Sequence, residues 1–397
     1  MRKPRILYHH RTQGRGGEGV HIREVVMALQ ELGCEVQMQE APGVDALHPD
    51  EKQDQAKPVS GVRPIVMRLF KYLSLRAPQF LFEVAELSYN VWAYFPLSKK
   101  LRNEKVDIYY ERYAFFGFVG IFLAHRFGVP SVLEVNEVAG VERARAQAMP
   151  VAAKYIEKKI FQRADAIVVV SSFLKTSLVK RGVSEQKIHV VPNAVRGDHL
   201  ENGECPGKAL RKKLGLDDYV VIGFVGQIVH WDRIDLLIED VAGLPAVRLL
   251  IVGPCRFMEE LQRTVEDLSM QHIVTFTGAV DRGQVRAYID AMDICVLPHS
   301  NPFGSPIAMF EYMAMRKPVL AVDVGPVTDI IVDGVNGCVF SKGDRKEFRS
   351  KLKHLVEDQK LRERIGNSGF DMVRRRHTWG KNAERLLCIF NRIKCIS

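Results

Sequence analysis

Glu311 is the residue of this 397-residue chain whose surroundings most clearly suit chemistry. It lies in Ser300–Val319, SNPFGSPIAMFEYMAMRKPV, where Pro302, Gly304 and Pro306 interrupt regular structure. The Ile307–Met315 run that follows has few breakers and reads as a helix. The first amides of a helix have no internal partner, so they favour an anion. One turn on, a carboxylate at position 311 can accept two neighbouring hydroxyls, as on a ribose, while the loop amides hold a pyrophosphate. A sugar nucleotide needs that combination. The same twenty residues also fit an ordinary strand–loop–helix joint carrying a solvated glutamate.

Positioning such a loop takes a sheet, and the pattern along the chain predicts two. Short apolar runs alternate with helical periodicity in both halves, the signature of parallel sheets with helices on their faces. In the first half, strands are expected at Arg5–Tyr8, Glu35–Met38, Asp107–Tyr110, Ser131–Val135 and Ala166–Val170, with helices at Val20–Leu32 and Phe115–Arg126. A polar, glycine-containing stretch, Arg196–Lys213, reads as the inter-domain linker. Beyond it, strands are expected at Val220–Val225, Val247–Val252, Ile273–Thr277, Ile294–Pro298 and Val319–Val322. The expected architecture is α/β: two doubly wound, Rossmann-like domains, 1–195 and 196–380, that hold a ligand in the cleft their strand C-termini face. The last segment, 381–397, is expected to form a helix that returns to the first domain.

Composition narrows the function classes. At 47% hydrophobic and 26% charged residues the chain reads as globular, and its length suits two cores better than one. The longest apolar runs, such as Ala114–Ala124, fall short of a membrane span, and no basic-then-apolar leader follows Met1, so a cytoplasmic location is expected. Seven scattered cysteines without a Cys-x-x-Cys pair argue against a disulfide framework and against structural zinc. The net charge of +10 favours an anionic ligand or membrane surface, whereas no nucleic-acid-binding signature accompanies it. Between positions 62 and 105 basic residues interleave with aromatic ones, a pattern that suits either peripheral contact with an anionic bilayer or core helices with snorkelling cations.

Taken together, four segments resemble the group 1 (family four) nucleotide-sugar glycosyltransferases of the GT-B fold. They are FEYMAMRKPVLAVDVGPVTDIIVDGVNGCVF (residues 310–340), IGFVGQIVHWDRIDLLIE (222–239), KIHVVPNAV (187–195) and GGEGVHIREVVMALQELGCEV (16–36). The resemblance covers nearly the whole chain. It implies a retaining transferase that moves a sugar from a nucleotide-diphosphate donor, such as a UDP-sugar, to a hydroxyl of a glycan, a lipid-linked or a small-molecule acceptor, as in polysaccharide biosynthesis. Glu311 would hold the ribose. Phe303, Gly304, Ser305, Pro306 and Ile307 would lie against the sugar and distal phosphate. Gly226, Gln227 and Arg233 would border the diphosphate, Gly278 and Val280 the base, and Gly16 and Gly17 would close over the phosphates from the first domain. Glu111, Arg112 and Tyr113 are expected at the acceptor, or as a structural ion pair. No essential metal and no cofactor are implied.

Departures from the family pattern put catalysis in question. Many members carry an arginine and a lysine where this chain has Gln227 and Asp232, and two positive charges beside the diphosphate are thereby missing. The earlier of the family's paired glutamates falls at Phe303, which cannot hydrogen-bond a sugar hydroxyl. Members often present a histidine after the strand Ser131–Val135, where this chain has Asn136. The catalytic candidates are therefore Asn136, the nearby carboxylate Glu134, and His21, whose alternative is packing. Trp231 could wall the donor pocket or simply pack, and Asn193 reads as a turn cap. These departures keep a second class open, a catalytically degenerate partner protein that still binds a sugar nucleotide. A sugar-nucleotide epimerase on the same fold is a third. An oxidoreductase has a foothold in Gly14-x-Gly16-x-x-Gly19, but His9–Gln13 intervene between the strand and the first glycine, and no hydride-transfer constellation follows.

Overall fold

The computed structural model describes residues 3–12, 14, 16–41, 44–47, 79–140, 147–200 and 206–395. The chain divides into two compact units, residues 1–192 with 380–397 and residues 193–379. Residues 62–78 of the basic, aromatic stretch lie outside the described residues.

The first unit runs β1 (Arg5–His9), α1 (Gly16–Glu31), β2 (Glu35–Gln39), α2 (Gln79–Asn103), β3 (Ile108–Arg112), α3 (Val119–Arg126), β4 (Ser131–Val135), α4 (Pro150–Arg163), β5 (Ala166–Val169), α5 (Ser172–Lys180) and β6 (Ile188–Val190). All its strand pairs are parallel, in the order β2-β1-β3-β4-β5-β6. Every residue of β3, β4 and β5 is buried, as expected where helices cover both faces of a sheet. The order reverses between β1 and β3, and a doubly wound sheet opens its crevice at that point.

The second unit runs α6 (Gly207–Leu214), β7 (Val220–Val225), α7 (Ile234–Val241), β8 (Val247–Val252), α8 (Met258–Asp267), β9 (Val274–Phe276), α9 (Val285–Asp290), β10 (Ile294–Leu297), α10 (Ile307–Ala314), β11 (Val319–Val322), α11 (Gly325–Thr328), β12 (Cys338–Phe340), α12 (Arg345–Glu357) and α13 (Gln359–Arg376). Its parallel sheet is ordered β12-β11-β10-β7-β8-β9, with the reversal between β7 and β10. A last helix, α14 (Trp379–Lys394), leads back to the first unit, where Phe390 packs edge-on against Tyr110 and Lys394 pairs with Asp107 at 2.7 Å.

The sequence expectations for several elements need correction, and two strands were not expected at all. The stretch expected as linker is partly α6, which belongs to the second unit. Arg211 ties it there by bonding the Asp293 carboxylate and the carbonyls of Ala291, Leu216 and Tyr219. Its Gly207 is so close to the end of α9 that a Cβ would lie 2.5 Å from the Ala291 nitrogen. The helix expected from Phe115 starts at Val119, because Phe116 adopts a left-handed conformation (φ 62°) and a turn precedes the helix. The edge strands β6 and β12, three residues each, carry too short an apolar run to be told from loop.

Candidate functional site

In the second unit the strand ends near the β7–β10 reversal carry Gly226 and Gly278, read from the sequence, and a third glycine, Gly253, that was not. Gly226 follows β7, Gly253 follows β8 and Gly278 lies just beyond β9. A Cβ on Gly253 would sit 1.8 Å from the Gly226 carbonyl oxygen, so only a glycine lets these turns approach. The Gly253 amide donates to the Gly278 oxygen at 2.9 Å, which locks the three strand ends together.

The loop after β10 leads into α10, which starts at Ile307 as its breakers predict. The Asn301 side chain accepts hydrogen bonds from the amides of Phe303 (3.1 Å) and Gly304. From the other side, the Asn193 amide donates to Ser305 Oγ (3.1 Å), and its Nδ2 donates to the Ser305 carbonyl (2.5 Å). Asn193 is thus a clamp on this loop. The Gly304 amide, expected to face a phosphate, turns onto Asn301 instead. The amides that a helix start leaves without an internal partner are those of Ile307, Ala308 and Met309, Pro306 having none to offer.

Burial of Met309, Phe310, Tyr312 and Met313 sets the rotation of α10. The Tyr312 hydroxyl accepts from the Val225 amide (2.6 Å) and donates to the Val225 carbonyl (3.3 Å), fastening the helix to the end of β7. Glu311 is then 5% exposed, and its carboxylate pairs with Arg282. The Arg282 side chain is half exposed, in the turn between β9 and α9. Sequence reasoning missed it. Its one signal was a cation two residues past Val280, on the edge expected to meet a base.

Beyond Gly226 the picture departs from a cationic phosphate site. Gln227 is exposed, Trp231 is 37% exposed, and His230 stacks on Phe257 with ring centroids 3.9 Å apart. Arg233, at a left-handed φ of 52°, turns onto Asp235 at 2.9 Å. Asp232 accepts the Val229 amide at 2.9 Å, and burial pushes its carboxyl up to about 6. A carboxyl raised on folding contributes stability below its unfolded value near 3.8, and loses that contribution as pH rises through about 6. Asp232→Asn is therefore expected to stabilise the protein by about 1–3 kcal/mol above pH 7, with little effect near pH 4, as read from melting temperature against pH.

In the first unit His21, Glu134 and Asn136 come together. Glu134, at the end of β4 and 1% exposed, pairs with Arg112 and lies 3.0 Å from His21 Nε2. It also accepts from Asn136 Nδ2 (2.7 Å), Tyr110 (2.7 Å) and Tyr8 (3.5 Å). Burial opposes its ionisation, but the charges of His21 and Arg112 and the hydrogen bonds outweigh it, so the carboxyl stays below the usual range.

The expected acceptor trio does not act as one cluster, because successive residues of a strand point to opposite faces. Arg112 joins Glu134. Glu111 lies on the other face with Tyr109 (2.8 Å) and His9 (3.5 Å), and Tyr113 donates to Glu157 (2.9 Å). All three side chains are buried. The glycine loop divides similarly. A Cβ at Gly14 or Gly19 would collide with Ala46 or with the Gly14 carbonyl, whereas Gly16 and Gly17, which open α1, face empty space. Among the described residues no cluster of His, Cys, Asp or Glu could hold a metal ion, and no helix is long and apolar enough to cross a membrane.

Comparison with known proteins fits this geometry. Residues 15–198 match the model of Glycosyltransferase Family 4, and residues 207–372 that of Glycosyl transferases group 1. An uncharacterised glycosyltransferase of Methanocaldococcus jannaschii is 24% identical over 245 residues, 60% of this chain and 62% of that relative, less than two thirds of its length. A D-inositol 3-phosphate glycosyltransferase of Stackebrandtia nassauensis is 27% identical over 300 residues, 71% of this chain and 67% of the relative. Among solved structures, a Rickettsia africae glycosyltransferase superposes with a TM-score of 0.77 at 16% identity, over 99% of both chains. Anabaena HepE in complex with UDP superposes with a TM-score of 0.68 at 16% identity, over 96% of this chain and 98% of that one. Two parallel six-stranded α/β units are those of a GT-B fold, and the chain belongs to the group 1 glycosyltransferases.

Proposed function

We propose that this chain transfers a sugar, with retention of configuration, from a nucleoside diphosphate donor to a hydroxyl of a glycan or lipid-linked acceptor. The observation that carries this reading is Glu311, buried one turn into α10, behind a loop clamped by Asn193 and Asn301 and beside the glycine-bearing ends of β7 and β9. Its carboxylate would bind the ribose hydroxyls, with Arg282 moving from it to the ligand. The α10 amides would face the diphosphate. Uridine diphosphate is the nucleotide to test first, since related structures hold it.

Retention is supported by what Glu134 is doing. Saturated by Arg112, Tyr110, His21 and Asn136, it is poorly placed to serve as nucleophile or base. The route that the family resemblance implies has the acceptor hydroxyl attack on the face the phosphate leaves, with that phosphate taking the proton. The protein then contributes positioning and stabilisation of developing phosphate charge, worth roughly 7–11 kcal/mol and several kcal/mol in favourable systems. The +10 net charge suits an anionic or lipid-linked acceptor at the cytoplasmic face of a membrane.

The test is a screen of common nucleotide sugars with lipid-linked and glycan acceptors, read by the anomeric configuration of the product. An inverted product would overturn retention, and donor binding without transfer or hydrolysis would overturn catalysis. The degenerate-partner reading draws on one observation, Arg233 turned onto Asp235 while Asp232 stands where a lysine is expected. It predicts that Gln227→Arg with Asp232→Lys creates an activity that the natural chain lacks.

A further inference from the structure

We infer that the outer face of α2, α3 and α4 docks on an acidic phospholipid bilayer, with a lipid phosphate seated in a basic pocket beside α4. This goes beyond the donor-site reading and does not depend on it. The helix α4 buries Ala153, Glu157, Ile160 and Phe161 and turns its other side to solvent. That side carries Val151, 81% exposed, and Tyr155, 64% exposed, interleaved with Lys154, Lys158 and Lys159. The Lys159 ammonium lies 5.6 Å over the Tyr155 ring, so cation and aromatic face outward together.

Neighbouring helices expose apolar side chains as well. Phe122 of α3 and Val91 and Phe95 of α2 are exposed, and α3 packs against both α2 and α4. At the start of α4 the Glu83 carboxylate of α2 accepts the amides of Ala148 and Met149 at 2.7 Å each, joining the helices into one wall. Single exposed apolar residues are ordinary on a soluble protein, whereas several on packed helices beside a cationic pocket suit a contact surface.

Charge selects the occupant. The acidic residues of these three helices are Glu83, Glu86 and Glu157, and none is presented to solvent. Glu83 and Glu157 are 1% exposed, and Glu86 is paired with Arg11 at 2.5 Å. Lys99, Arg102, Lys154, Lys158, Lys159 and Arg163 all lie exposed. Beside α4 a cavity of about 320 Å³ is lined by Lys154, Lys158, Phe161, Gln162, Arg181 and Val183. The Glu157 carboxylate in it is already met by Arg181 (2.7 Å), Tyr113 and the Ala139 amide, so the lysines leave the pocket net positive. Apolar side chains beside a cationic pocket match the acyl boundary and phosphate layer of an acidic leaflet.

The experiment is flotation of the full chain with vesicles of phosphatidylglycerol and phosphatidylcholine, or of phosphatidylcholine alone, at 0.1 M salt without nucleotide sugar. At least tenfold stronger binding to the acidic vesicles is expected, weakening as salt is raised. Lys154→Glu with Lys158→Glu, and separately Val151→Ser with Tyr155→Ser, should each reduce binding at least tenfold. A charge reversal on the second unit, Lys346→Glu with Lys353→Glu, should not. All the altered side chains are exposed, so folding should survive, and UDP-sugar affinity measured on the same variants reports the donor site separately. Three outcomes would overturn the proposal: equal binding to neutral vesicles, insensitivity to the α4 substitutions, or lipid-free self-association that those substitutions abolish. Inorganic phosphate bound in the pocket without any vesicle association would do the same.

Discussion

Glu311→Ala is expected to weaken binding of a nucleoside diphosphate sugar by about 1–3 kcal/mol, roughly 5- to 150-fold, the range for loss of a charged hydrogen bond in a buried site. The fold should tolerate it. Glu311 is buried but its partner Arg282 is half exposed, so removing the carboxylate releases a guanidinium to water rather than stranding it. Glu311→Gln should fall between, since an amide oxygen still accepts one hydroxyl. Calorimetric titration with UDP and a UDP-sugar, alongside a melting curve, separates binding from stability. Donor affinity equal to that of the natural chain would remove the central assignment. Because Arg282 occupies the carboxylate that the ribose needs, Arg282→Ala distinguishes two roles: tighter binding if it only competes, weaker binding if it moves onto the ligand.

The second large effect concerns the first unit. Glu134→Gln strips the charge from a carboxylate that compensates Arg112 in a fully buried site, and breaking one partner of such a pair costs about 3–5 kcal/mol. For a unit of this size the melting temperature should drop on the order of 10 °C. The pH dependence has a definite sign. A carboxyl held below its ordinary range contributes stability above about pH 4 and loses it as pH falls toward its folded value. The difference between Glu134→Gln and the natural chain should therefore be full at pH 7 and shrink under acid. Asn136→Ala leaves the Arg112 pair intact and should cost much less stability. A large loss of transfer rate in Asn136→Ala at unchanged melting temperature would make Asn136 a contact of the reaction, and an unchanged rate would end its candidacy.

The central strands were legible because they are buried on both faces and read as short, largely apolar runs, as in Ile294–Leu297 and Val319–Val322. The start of α10 was equally legible, since Pro302, Gly304 and Pro306 leave the chain nowhere else to begin a helix. The onset of α1 was not. Gly16 and Gly17 are poor helix formers, and the helix includes them all the same.

What the sequence alone determined was the α/β class and the position of Glu311, because burial pattern and breaker residues act locally along the chain. Tertiary structure decided which polar groups meet. Arg112 and Glu111 are adjacent in sequence, yet the strand sends one to Glu134 and the other to His9. Asn193 and Ser305 stand 112 residues apart and hold each other. Arg282 and Glu311, 29 apart, form an ion pair that no local pattern announces. Charges and hydrogen bonds act through space, so their partners follow from the order of strands in the sheet, which the periodicity of a single segment does not encode.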